Sequence, residues 1–267
     1  MDVYAATPLA TPLQPSTPPF LSLVRAESQH YRRGFLLWFA LLAPLLLALP
    51  MLWATLSNNM GEPPAVIWQD FQGSTFEFWG VLTPMGAAIL AALSVQQDRE
   101  SWRFLLTYPV KPAQLFLAKF VGLALLTLLS SFMLFVGLLF AGSVIGSFDL
   151  MTAFSACFLP WLAGLGVLAL FLTLSLMTGL GTTIGVGVFG MLSGALLADK
   201  SVWIYLPFAW SLRVILPMAE IHASGIPLPP ESPLRDLSVI PVALGLSVLL
   251  GTVSLVLGAA YLSRKEI

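Results

Sequence analysis

With 267 residues, 58% apolar side chains, 9% charged ones and a mean hydropathy of +0.90, the chain lies far from the composition of soluble domains, in which about a quarter of residues are charged. A net charge of -1, one cysteine and two histidines exclude an internal disulfide and a His/Cys metal centre, and no nucleic-acid partner is expected. The expected fold class is an all-α integral membrane protein.

Residues 1–19 carry Pro8, Pro12, Pro15, Pro18 and Pro19 among threonines, a composition that buries too little apolar surface to order itself. They are read as a disordered cytoplasmic tail. The tail lacks the basic start and compact apolar centre of a cleavable signal peptide, so the mature chain is expected to keep it.

Residues 20–34 are read as an interfacial amphipathic helix. Phe20, Leu21, Leu23, Val24 and Tyr31 fall on one face, and Arg25, Gln29, Arg32 and Arg33 on the other. Glu27 falls on the apolar face, against the pattern.

Residues 35–267 are read as one transmembrane domain of six spanning helices, over 35–56, 77–96, 115–141, 153–176, 180–198 and 238–262, each close to the ~20 apolar residues that a crossing needs. An even count places both termini on one side. That side would carry Arg25, Arg32, Arg33, Arg99, Arg103, Lys111, Lys119, Arg264 and Lys265, and the other only Lys200, Arg213 and Arg235, nine cations against three of the twelve in the chain. The positive-inside rule then makes the termini cytoplasmic, in a cell membrane, and turns the acidic loops around Glu62, Asp70 and Asp149 outward.

Between the second and third spans, Asp98 is a suitable N-cap for a short helix over 98–107, with Glu100 and Arg103 one turn apart. Pro109 forces Tyr108 out of helical geometry, and Pro112 suits the first turn of the next helix. The aromatics could anchor this loop at the headgroups while Arg99, Arg103 and Lys111 meet anionic lipid, each worth about 1 kcal/mol. Equally, a rigid element with an aromatic anchor and a charged rim could dock on a cytoplasmic partner.

Gly181 and Gly185, then Gly190 and Gly194, recur in the fifth span at the four-residue spacing that lets helices approach closely, either within the chain or between two copies. The segment 199–237 holds "VWIYLPFAWSLRVILPMAEI", which is apolar yet punctuated by Pro207 and Pro217 and carries Arg213. It is read as a re-entrant hydrophobic hairpin of two short helices before the sixth span, since irregular backbone at membrane depth must be satisfied by surrounding protein.

No phosphate-binding loop occurs, and neither histidine lies in a span beside a nucleophile, so the chain is read as non-catalytic and without a cofactor of its own. No ionisable residue sits at the middle of a span, which weakens a secondary-carrier reading without removing it.

The run "ESWRFLLTYPVKPAQLFLAK", Glu100 to Lys119, resembles the stretch between the second and third spans of type-2 ABC exporter permeases. Its tryptophan and "YPV" are most similar to the bacteriocin-immunity and lantibiotic-protection branch, which includes bacitracin-resistance permeases. "AESQHYRRGFLLWFALLAPLL" resembles the same branch, with Glu27, Arg32, Arg33, Trp38 and Pro44 in corresponding places. Many relatives have Gly-Thr where this chain has Ser101 and Trp102.

The resemblance implies a half-pore that works as a homodimer or with a sister permease, over a separate cytoplasmic ATP-binding ABC subunit, exporting an amphiphilic peptide, antibiotic or lipid-like molecule. The helix over 98–107 would then be the coupling helix. Glu100 and Arg103 would set its register on the ATPase, Trp102 and Tyr108 would anchor it with Arg99 and Lys111 nearby, and Pro109 would stiffen its turn. The reading from a different class is a non-transporting assembly factor or sensor that recruits a cytoplasmic partner by the same helix.

Overall fold

The computed structural model describes residues 18–32, 34–98 and 111–264. Their helices are α1 (Phe20–Tyr31), α2 (Phe35–Asn58), α3 (Pro64–Asp98), α4 (Pro112–Ile145), α5 (Leu150–Thr178), α6 (Leu180–Leu197), α7 (Trp210–Ala219) and α8 (Val239–Arg264). Six of them, α2 to α6 and α8, are long and apolar enough to cross a membrane. These are the six segments expected from hydropathy, and the chain is a multi-pass membrane protein. The tail over 1–17 lies outside the described residues.

Apolar runs become helices because each backbone N–H and C=O must find its partner within the segment when no water is at hand. Pro44 and Pro50 in α2, Pro84 in α3 and Pro160 in α5 sit inside their helices without ending them. Pro112 opens α4, as expected from its tolerated first-turn position. At the other end of α4, Gly146 takes φ 81°, the left-handed geometry that closes a helix and that glycine adopts without strain. Asp149 then caps α5, its Oδ1 accepting from the Met151 and Thr152 N–H groups at 3.1 and 3.2 Å.

One boundary differs in kind from expectation. The second spanning helix begins at Pro64 and runs 35 residues, about 52 Å at 1.5 Å per residue against a hydrocarbon core of about 30 Å. Asp70, expected in a loop, therefore lies on α3, in an extension that projects beyond the apolar layer. Amphipathic packing of Trp68, Phe71 and Phe76 against the rest of the protein keeps this extension helical.

The segment before the last span is one α-helix preceded by two 3-10 turns, Ser201–Tyr205 and Pro207–Ala209, where two short helices were expected. Pro207 opens the second turn, while Pro217 lies inside α7 without ending it. The chain reverses at Glu220 (φ 54°) and returns through a bridge between Ile221 and Pro227. Almost all of α7 is buried, with Leu212, Val214, Ile215 and Leu216 fully so, in a core shared with α3 and α5. Gly80 permits this seat, since a Cβ there would stand 2.7 Å from the Leu212 side chain and 3.1 Å from its Cα. Arg213 is buried as well, its guanidinium stacked 5.6 Å from the centre of the Trp203 ring, a geometry in which the aromatic face stabilises the cation.

The glycines of α6 divide between two roles. Gly190 and Gly194 pack against Phe208, which they admit by having no side chain, whereas Gly181 and Gly185 face open space.

Candidate functional site

The densest polar cluster among the described residues lies at the end of the bundle where α1, the end of α3 and the start of α4 meet. Lys119 stands seven residues into α4, about 10 Å from its first residue. Burial leaves its side chain only 6% exposed. An ammonium so placed must find acceptors for its three N–H groups, because an unpaired buried charge costs several kcal/mol.

It finds three. Lys119 Nζ donates to Asp98 Oδ2 at 2.6 Å, to Glu27 Oε2 at 3.1 Å and to Ser94 Oγ at 3.2 Å. Ser94 Oγ in turn lies 2.9 Å from the Tyr31 hydroxyl, and the Tyr31 ring centre stands 5.9 Å from Nζ. His30 Nε2 lies 3.9 Å from the other Asp98 oxygen. Burial pushes the Tyr31 phenol well above the usual tyrosine range, with the neighbouring Lys119 opposing, so the phenol remains a neutral hydrogen-bonding group.

Local sequence explains how each group arrives. On α1 the residues turned toward the bundle are Leu23, Val24, Glu27, Ser28 and Tyr31, spaced three and four apart along one face. Gly122, one turn beyond Lys119, gives α1 its seat. A Cβ at Gly122 would stand 3.0 Å from the Tyr31 ring and 3.4 Å from the Glu27 Cβ. Leu21, expected on the apolar face of this helix, is 79% exposed at its outer end.

Of the residues expected to couple to a partner, Arg99, Glu100, Trp102, Arg103, Tyr108 and Pro109 lie outside the described residues. Lys111 is the exposed N-cap of α4, and its carbonyl accepts from Gln114 N–H at 2.9 Å and Leu115 N–H at 3.3 Å. Asp98, expected to cap a short helix, is the last residue of α3, and its carboxylate is bound to Lys119. Residues 99–110 are thus flanked by the end of α3 and the start of α4, two helix termini joined by a buried ion pair.

Sequence reasoning missed this cluster as a cluster. In the sequence Glu27 stands out as a flaw in an apolar face, and Lys119 only as one of the nine cations assigned to one side. Opposite charges on apolar surfaces signal a mutual partner, but only the tertiary contact identifies which.

The profile of a family described as ABC-2 family transporter protein matches residues 23–194. The match runs from α1 through α6 and includes Glu27, Asp98 and Lys119. Comparison with curated proteins found no match.

Proposed function

Because the chain belongs to the ABC-2 transporter protein family, and is therefore a permease subunit that associates with an ATP-binding ABC subunit, we propose that it is one half of an exporter in which the Lys119 cluster transmits the ATPase stroke. The observation that carries this reading is the position of Lys119, which ties α1, α3 and α4 together beside the 99–110 segment.

The proposed stroke begins when ATP closes the ATPase dimer against a coupling helix formed by the residues that follow Asp98. Glu100 and Arg103 set the register, Trp102 and Tyr108 anchor, and Arg99 and Lys111 complete the charged rim, with Pro109 and Pro112 stiffening the turn. Breaking one partner of a buried ion pair costs about 3–5 kcal/mol, whereas coupling between sites typically involves about 1–3 kcal/mol. The cluster therefore holds through the stroke, and α1 moves with the ends of α3 and α4 as one body. The shift between inward- and outward-closed states follows as a change in relative population.

The excess of cations on this end supports a cytoplasmic placement of both termini in the cell membrane and, with it, contact of α1 with the inner headgroups. α7 would enter the outer leaflet as a protein-packed re-entrant element. A second permease copy or a sister permease would complete the pore, and the open Gly181 and Gly185 face of α6 is one surface available for it. The sequence likeness to the lantibiotic-protection branch supports an amphiphilic cargo such as a cell-envelope antibiotic.

Co-purification of the ATPase with Trp102→Ala and Glu100→Lys tests the docking role. Reduced recovery with intact membrane insertion is expected, and undiminished recovery from both variants rejects it. An ATPase reading frame with phosphate-loop and signature motifs beside this gene favours transport over a scaffold that only recruits.

A further inference from the structure

A cavity of about 290 Å³ lies between α2, α3, α4 and α5. Gly86 on its wall is twelve residues from Asp98, which sets the cavity about 18 Å along α3 from the Lys119 cluster and within the apolar layer. An engineered apolar cavity of about 150 Å³ in another protein takes up benzene, so this one has room for considerably more hydrocarbon.

Its walls restrict what can enter. No ionisable side chain lines it. Of the polar side chains that do, those of Thr83, Thr127 and Trp161 are already engaged, which leaves only the hydroxyls of Ser130 and Ser131 and the Trp79 N–H. Trp161 Nε1 donates to the Ala124 carbonyl at 3.3 Å and to Thr127 Oγ1 at 3.2 Å. The Thr127 hydroxyl donates to the Leu123 and Ala124 carbonyls, and the Thr83 hydroxyl to that of Trp79. A charged group, or a peptide backbone with its N–H and C=O groups, would be desolvated there with few partners, at several kcal/mol per group. A hydrocarbon chain carries no such cost.

The wall is also incompletely packed by the protein itself. A Cβ built on Gly86 meets no atom within 4 Å, in contrast to the close packing of ordinary interiors. Leu82 at the rim is 39% exposed, so the cavity communicates with the side of the bundle that faces lipid.

We propose that this cavity is a binding site for one uncharged hydrocarbon chain, of acyl or prenyl type, drawn from the bilayer. The proposal concerns binding and stands whether or not the bound chain is cargo.

The test uses the purified full-length chain in unbrominated detergent, with dibrominated octadecanol as the probe and tryptophan fluorescence as the readout, since Trp79 and Trp161 line the cavity. Saturable quenching is expected, with its amplitude at least halved in the Trp79→Phe/Trp161→Phe variant. Gly86→Leu should weaken apparent affinity at least tenfold. Gly245→Leu, on an open face of α8 away from the cavity, should leave it unchanged. Gel filtration checks folding; if Gly86→Leu is not monodisperse, Ala43→Leu on the α2 wall decides in its place. Quenching that rises linearly with probe and is equal in all variants overturns the site. So does wild-type affinity in a folded filling variant. Saturable quenching by an apolar peptide bearing bromophenylalanine, lost in the same filling variant, overturns the assignment to a hydrocarbon chain.

Discussion

Lys119 Nζ lies 2.6 Å from Asp98 Oδ2, joining the first turns of α4 to the last residue of α3. Both side chains are nearly buried, so the pair is held in a medium where separation is costly and the connection behaves as a strut. Glu27 adds the amphipathic helix to the same strut.

Replacing Lys119 with Met leaves Asp98 and Glu27 as two buried carboxylates without their cation. A loss of about 3–5 kcal/mol is expected. The triple variant Lys119→Met/Asp98→Asn/Glu27→Gln, which removes the charges together, should recover much of it. Thermal unfolding in detergent across the cycle measures both, and additive losses in the triple variant would show that the three residues do not interact.

Gly122→Leu tests the seat of α1 without touching a charge. The added side chain must displace the Tyr31 ring and the Glu27 stem, so α1 should lift away while the six spans remain folded. Protease cleavage within 20–32 is the readout, and it should quicken several-fold. Unchanged cleavage would mean that α1 has another anchor.

Gly166→Ala and Gly181→Ala should behave in opposite ways although both glycines lie in spanning helices. At Gly166 a Cβ would stand 2.5 Å from the Ser247 carbonyl oxygen of α8, and the Gly166 N–H donates to Ser247 Oγ at 2.9 Å. Backbone must move there, at a cost of about 1–3 kcal/mol or more. Gly181 has no neighbour within 4 Å, and alanine there should be neutral or stabilising by up to about 1 kcal/mol. A melting comparison of the two variants checks the difference.

The N-cap of α5 predicts a pH dependence. Hydrogen bonds from the Thr152 hydroxyl, and from the Thr152 and Met151 N–H groups, hold the Asp149 carboxyl below its usual range against the opposing effect of burial. A depressed folded value means that this stabilisation is present above the unfolded value of about 3.9 and is lost as pH falls through the folded one. Asp149→Ala should cost about 1 kcal/mol at neutral pH. It should also flatten the acid limb of stability, as unfolding midpoints from pH 3 to 7 would report.

Sidedness has its own test. Gln69 is exposed on the α3 extension, and Cys157 is fully buried. Membrane-impermeant thiol reagent applied outside intact cells should label Gln69→Cys and miss Ser101→Cys in a Cys157→Ala background. The reverse pattern overturns the orientation.

The spans were legible because hydropathy is a local property: a run of apolar residues must become a helix wherever lipid surrounds it. Pro112 and the span count follow from such one-residue rules. The extension of α3 through Asp70 did not, because its polar residues read as a loop until packing of Phe71 and Phe76 shows why it stays helical. Gly190 and Gly181 also look alike in sequence, yet one admits Phe208 and the other meets nothing.

By itself the sequence determined that this is a six-span membrane protein, which end carries the cations, and that Glu27 breaks an apolar face. Only the tertiary structure decided that Glu27, Asp98 and Lys119 form one cluster, that α7 is buried among the spans, and that four helices leave a cavity at Gly86. Composition and periodicity act through each residue's own transfer from water, whereas pairing a buried charge or leaving a void depends on residues far apart in the chain meeting at a distance of a few ångströms.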